Sequence, residues 1–375
     1  MLRHLANVYR LGVKELWSLW RDPMMLVLIV YTFTVAVYTA ATAVPETLRG
    51  AAIAVVDEDD SPLSARIAAA FYPPRFAVPA RIGLADVDPG LDAGRYTFVL
   101  DVPPGFQRDV LAGRSPRLQL NVDATRIGQA FTGAGLVQVI ALGEVGEFLQ
   151  RHRRLDVPPV DLALRARFNP ALRQSWFISL MEVVNNVTML SIILTGAALI
   201  REREHGTVEH LLVMPVTPAE IMVAKMWSMG LVVLLAAAAS LTFVVRGALG
   251  VTIEGSVGLF LAGAALHLFA TTAMGIFMAT VARTMPQFGL LIMLVLLPLQ
   301  VLSGGSTPRE SMPRLVRDLM LAAPTTHFTE MAQAILYRGA GLDVVWRSFA
   351  ILVVIGSVFF AVSLARFRRA IGQLA

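Results

Sequence analysis

The 375-residue chain contains no cysteine, only two lysines and little charge of either sign. Without thiols it can form no disulfide, no thiolate-ligated zinc or iron–sulfur centre and no cysteine nucleophile. Its lysines, Lys14 and Lys225, are followed by Glu and Met, so neither completes the Gly-x-x-x-x-Gly-Lys-Ser/Thr loop that cradles nucleotide phosphates. ATP hydrolysis by that route is excluded for this polypeptide. Charged residues make up 16% of the chain against 56% hydrophobic, and a formal net charge of +5 is too small an excess on so apolar a chain for a nucleic-acid binder.

What is present is a series of long stretches free of charge. About 20 apolar residues cross the hydrocarbon of a bilayer, where a charged side chain is costly. Pro23–Pro45, Met226–Val245, Gly255–Ala282, Thr284–Pro308 and Ser348–Ala365 contain no Asp, Glu, Lys or Arg, and Phe177–Ile200 contains only Glu182. Soluble core helices keep a polar face, which LLIMLVLLPLQVLSG and LVVLLAAAASLTFVV lack. The expectation is a polytopic α-helical membrane protein with six transmembrane helices: the first at 23–45 and the other five within 176–365. The first is read as retained rather than as a cleaved signal peptide, because no Ala-x-Ala site precedes Pro45 convincingly.

Basic residues set the expected orientation. Arg3, Arg10, Lys14 and Arg21 precede the first span, Arg201, Arg203 and Lys225 bracket the second connection, and Arg366, Arg368 and Arg369 open a tail at 366–375. By the positive-inside rule these sides, and both termini, are cytoplasmic. Residues 1–22 mix Leu, Val and Trp with Arg and Lys at helical spacing, as an amphipathic elbow lying along the cytoplasmic interface would.

The orientation exports residues 46–175, which carry 15 Arg and 15 acidic residues. AAIAVVDEDD reads as a strand ending in an acidic turn, SPLSARIAAAF as a short helix, GRYTFVLDVPPGF as a strand and turn, and 127–153 as a long helix. An α/β extracytoplasmic domain inserted between the first two transmembrane helices is expected. A short amphipathic pair split by Pro324 is expected between Met312 and Tyr337, on the outer side.

The most informative stretch is REREHGTVEHLLVMPVTPAEIMVAKMWSMG, from Arg201 to Gly230. Gly206 permits a turn, Pro215 and Pro218 bracket a reversal, and Thr217 can cap a helix with Glu220 in its first turn. Physics alone leaves this as either a rigid knob or a charged loop that obeys topology. The pattern Glu204, Gly206, Thr207, Glu209, Leu211 and Pro215, then Lys225, together with RFNP at 167–170, VPPGF at 102–106, SGGSTP at 303–308 and APTTHF at 323–328, resembles the permease subunit of ABC-2 type ABC transporters, in the multidrug-exporter-like branch.

That resemblance implies two permease subunits, as a homodimer or heterodimer in the bacterial inner membrane, exporting amphiphilic or drug-like molecules. Separate cytoplasmic ABC ATPase subunits would bind ATP and Mg2+, and this chain would hold no cofactor or metal. Coupling would run through 201–222, with Arg201, Glu202, Glu204, Gly206, Thr207, Glu209, Leu211, Pro215 and Lys225 as contact residues. A periplasmic adaptor and outer-membrane channel would receive cargo.

Within the apolar stretches, Glu182, Asn185, Asn186 and His267 are the candidate pathway or interhelical polar groups, since such residues are costly in hydrocarbon unless partnered. Two rival functions stay open: an ion-coupled secondary transporter, which usually shows repeats or several intramembrane acids, and a membrane-anchored periplasmic scaffold.

Overall fold

A computed structural model describes residues 2–43, 48, 50–123, 127–153, 173–204, 215–282, 284–305, 307 and 309–372. It divides into two compact units, one of Met1–Ala43 with Ala166–Ala375 and one of Val44–Arg165.

In the first unit, α1 (Leu2–Trp20) precedes a span built from α2 (Pro23–Tyr31), a π-helical turn at Thr32–Ala36 and α3 (Val37–Ala43). Asp22 caps α2 by accepting the Met25 N–H at 3.1 Å, and Pro23 supplies the first helical residue without losing a needed donor. There follow α8 (Gln174–Glu204), α9 (Pro218–Ala239) with a π-helical extension at Ser240–Ala248, α10 (Val257–Val281), α11 (Met285–Val301), two short helices α12 (Arg314–Met320) and α13 (Pro324–Leu336), and α14 (Leu342–Gly372).

Five of these helical stretches are long and apolar enough to cross a membrane: Pro23–Ala43, Gln174–Glu204, Pro218–Ala248, Val257–Val281 and Leu342–Arg369. The expectation of six transmembrane helices is therefore corrected to five. The stretch 284–308 is free of charge over its full length but helical only over Met285–Val301, 17 residues. At about 1.5 Å per residue this is about 25 Å, short of a hydrocarbon core of about 30 Å. Pro298 lies inside its last turn and the chain bends at Ser303–Gly305. Absence of charge marked an apolar segment, of which only part could be helix.

The helix α8 is the axis of the unit. It packs against α3, α9, α10, α11 and α13, and buries residues on every side, from Leu180 through Val187 and Leu194 to Ile200. Contact with α10 is close enough that a Cβ on Gly275 would stand 2.7 Å from the Ile192 carbonyl oxygen. Only glycine fits there. The helix α13, which starts at Pro324, packs on α10 and α14, with Phe328, Met331 and Ile335 inaccessible.

The second unit is an α/β domain with strand order β2-β1-β3-β4. The central β1 (Ile53–Asp57) pairs in parallel with β2 (Ala80–Arg81) and β3 (Phe98–Val102), and β4 (Gln119–Val122) closes the other edge antiparallel to β3. Both faces of β1 and β3 are covered, which is why they read as nearly continuous apolar runs, with Asp57 ending β1 and Asp101 the one polar residue inside β3. Ile53, Val55, Phe98 and Leu100 meet α4 (Pro62–Ala69), α6 (Phe106–Leu111) and the 27-residue α7 (Ile127–Arg153), while Ala54, Val56 and Val99 meet α5 (Val87–Asp92). The acidic run at 57–60 is a strand-end turn: Asp57 accepts from Ser64 Oγ at 2.9 Å and Asp59 from the Gln107 N–H at 3.0 Å.

Candidate functional site

Four consecutive residues at the end of α8, Arg201-Glu202-Arg203-Glu204, each hold a different part of the bundle. Arg201 pairs with Asp22, the cap of α2. Glu202 receives Lys14 of α1 at 2.7 Å and Lys225 of α9 at 2.8 Å. Arg203 donates to the Ala279 and Ala282 carbonyls, 3.2 and 2.9 Å away, where α10 ends. Glu204 accepts the Met285 N–H at 2.9 Å, where α11 begins. The signs match the helix dipoles, a cation at a C-terminus and an anion at an N-terminus.

At the centre of this hub Lys14, Glu15, Glu202 and Lys225 form a closed set of alternating charges. Glu15 Oε1 receives Lys225 Nζ at 3.0 Å and Lys14 Nζ at 3.3 Å. The Lys225 side chain is only 2% exposed, and Glu15 and Glu202 are buried with it. Burial alone would lower the pKa of Lys14, but Glu202 and Glu15 outweigh it and raise the group above its ordinary value. Desolvating Glu15, Glu202 and Lys225 is offset because each meets opposite charge on two sides, with half-exposed Lys14 closing the set.

A second polar clamp lies on the same helix pair. Thr217 caps α9 as its sequence suggests, accepting the Glu220 N–H at 3.3 Å while the Glu220 carboxylate returns to the Thr217 N–H. The same carboxylate takes Asn7 Nδ2 at 3.1 Å and contacts His4 Nδ1 at 3.0 Å, both on α1. Between the clamps, a Cβ on Gly12 would stand 2.1 Å from the Trp227 ring, so α1 lies directly on α9 there, with Tyr9 stacked on the same indole.

Of the residues singled out in the sequence, Arg201, Glu202, Glu204 and Lys225 meet at this hub. Pro215 is exposed at the approach to α9. Gly206, Thr207, Glu209 and Leu211 lie outside the described residues. Glu15, Asp22, His4 and Asn7 were missed as partners. The sequence offered one hint, that Lys14 and Lys225 are its only lysines; that both meet Glu15 and Glu202 is seen only in the structure.

The intramembrane candidates are dispersed. Asn186, 2% exposed, donates to the Thr32 carbonyl at 2.9 Å, within the π-helical turn of the first span. His267 is inaccessible; its Nε2 lies 2.8 Å from Thr188 Oγ1 and its ring stacks on Phe328 with centroids 4.0 Å apart. One turn on, Ser191 Oγ donates to Thr271 Oγ1 at 2.7 Å. The Thr188–His267 and Ser191–Thr271 bonds tie α8 to α10, and the Asn186 bond ties α8 to the first span, all without charge. Glu182 and Asn185 are half-buried on α8. Among the described residues no group of three or more His, Asp or Glu side chains is placed to hold a metal.

Residues 23–365 match the family described as ABC-2 family transporter protein. The chain belongs to that family. It is 60% identical over 374 residues to the inner membrane transport permease YhhJ of Escherichia coli (strain K12), covering 100% of both chains. It is 26% identical over 365 residues to the probable multidrug ABC transporter permease YbhR of the same strain, covering 95% of this chain and 96% of the relative. It is also 27% identical over 261 residues to the probable multidrug ABC transporter permease YbhS, covering 66% of each. This is accordingly a multi-pass permease of the inner membrane, the transport subunit of an ABC transporter rather than its catalyst.

Proposed function

We propose that this permease forms one half of the translocation pathway of an ATP-driven exporter of the multidrug type, and that the hub at 201–204 receives the motion of a cytoplasmic ABC ATPase. The observation that carries the reading is that four successive side chains of α8 grip α2, α1 with α9, α10 and α11. The segment 201–222 leaves from this turn, so a displacement applied to it reaches five helices at once. The basic residues of α1 and of 201–203 favour a cytoplasmic side for the N-terminus and the hub, and Val44–Arg165, which follows the first span, is then periplasmic.

In this reading 201–222, with Arg201, Glu202, Glu204, Gly206, Thr207, Glu209, Leu211, Pro215 and Lys225, meets an ATPase that binds ATP and Mg2+. A second permease subunit completes the pathway, and its cargo is amphiphilic or drug-like. The names of YbhR and YbhS favour the multidrug branch at lower identity. A periplasmic adaptor and outer-membrane channel would take the cargo onward.

The test is affinity purification from native membranes in mild detergent, with and without crosslinking, comparing the unaltered chain with a Glu204→Arg/Glu209→Arg variant. A stoichiometric P-loop ATPase that copurifies and is lost in the variant is the expected result. Absence of any ATPase from the crosslinked preparation of the unaltered chain would sink the coupling reading.

A further inference from the structure

The α/β domain contains a cavity of about 820 Å³ that no step of coupling uses. It opens between the sheet and α7. Leu100, Leu120 and Val122 face it from β3 and β4, and Val137, Ala141 and Val145 face it from α7 at helical spacing. Its floor is apolar and buried: Leu100, Phe106, Val137 and Ala141 are all at most 3% exposed, whereas Leu142, also in the lining, is 59% exposed. The size falls within the range of about 300–1,000 Å³ that small-molecule sites occupy, and an apolar space of this kind gains contacts when an apolar body fills it.

The polar side chains that line the cavity lie on its exposed side rather than on its floor. Arg114, Ser115 and Gln138 line it and are exposed. Arg114 and Arg108 share one carboxylate oxygen, Asp109 Oδ1, at 2.9 and 3.3 Å. With exposed Arg117, residues 108–117 hold three arginines against one acidic residue, a local excess of positive charge. A second copy of the domain would bring the same positive rim, and like charges would oppose its seating.

We infer that this cavity binds an anionic amphiphile, its acyl or fused-ring body on the floor and its carboxylate or sulfate at Arg114. The inference is independent of ATP coupling, because binding to the domain needs no partner.

The experiment uses the full-length permease in phospholipid nanodiscs and a diazirine-bearing long-chain fatty acid, with crosslinked peptides located by mass spectrometry. Saturable labelling within 113–122 or 134–149, displaced by unlabelled fatty acid, is expected. Ala141→Trp, which fills the floor, should reduce it about tenfold or more, equivalent to at least 1.4 kcal/mol. Arg114→Glu alters only an exposed side chain and should weaken labelling by the acid several-fold while leaving labelling by the matching uncharged fatty alcohol unchanged.

Labelling confined to the membrane spans, or non-saturable, would overturn the site. Equal labelling by acid and alcohol in the unaltered protein, or no effect of Arg114→Glu, would overturn the anionic class. Because the chain has no other thiol, Leu142→Cys offers a further check: efficient crosslinking of that thiol to its counterpart in a second copy would assign the cavity to a subunit contact instead.

Discussion

The end of α8 and its middle bury polar groups by opposite means. At the end, Glu202 sits among two lysines and a second carboxylate, and full charges are kept because each is matched. In the middle, Thr188, Ser191, His267 and Thr271 join α8 to α10 through hydrogen bonds alone. Loss of a charged partner leaves an uncompensated ion, whereas loss of a neutral one leaves a group that often finds a backbone carbonyl. The first arrangement is strong only when complete; the second degrades gradually.

The sharpest way to break the contrast is Lys225→Met. It strips Glu202 and Glu15 of their most buried cation and should cost about 3–5 kcal/mol. Thermal inactivation of the purified full-length protein, followed by size-exclusion chromatography, should show a large drop in midpoint. The double variant Lys225→Met/Glu202→Gln should recover much of it, since Lys14 and Glu15 remain paired. No recovery would mean that packing, not charge, holds the hub.

His267→Leu probes the neutral side. Thr188 keeps its longer bond to the Val184 carbonyl, at 3.4 Å, so the expected cost is about 1–2 kcal/mol. Combined with Thr188→Val in the same assay, the loss should be less than additive. A cost equal to that of Lys225→Met would erase the distinction.

The smallest effect is expected at Asp59, a charge stabilised by backbone rather than by another ion. Burial raises its pKa, but hydrogen bonds from Ser61 and from the backbone of Gln107, Gly105 and Phe106 outweigh this and lower it. A depressed carboxylate contributes stability above its unfolded pKa of about 4 and loses it as pH falls through the folded value. Asp59→Ala should cost about 1 kcal/mol at neutral pH, modest because the site is partly solvated. Hydrogen exchange over 104–111 should differ between variant and unaltered protein at pH 7, and the difference should shrink as pH falls below about 4.

Much of the fold was legible because apolar periodicity and turn residues act locally: β1, α4, β3 and α7 lie where their patterns place them. The error at 284–308 came from treating lack of charge as a measure of helix length, when Pro298 and the Ser303–Gly305 bend end the helix early. The site was legible as a list of charges but not as a constellation. Glu202 and Lys14 are 188 residues apart, and His267 and Thr188 are 79 apart, so their pairing depends on how helices pack. Periodicity carries no information about that. The helix α13 shows the same limit, because an amphipathic pattern does not say that Phe328, Met331 and Ile335 are enclosed by α10 and α14.

The close seating of α1 on α9 has a mechanical consequence. Held at His4 and Asn7, at Gly12 and again at Lys14 and Glu15, α1 cannot roll or slide by itself. It behaves as an outrigger on α9, about 28 Å long for its 19 residues. A tilt of α9 by a few degrees about Trp227 would therefore sweep the far end of α1 through a larger arc than any side chain at the hub travels. A small rotation at the core becomes a broad displacement at the rim.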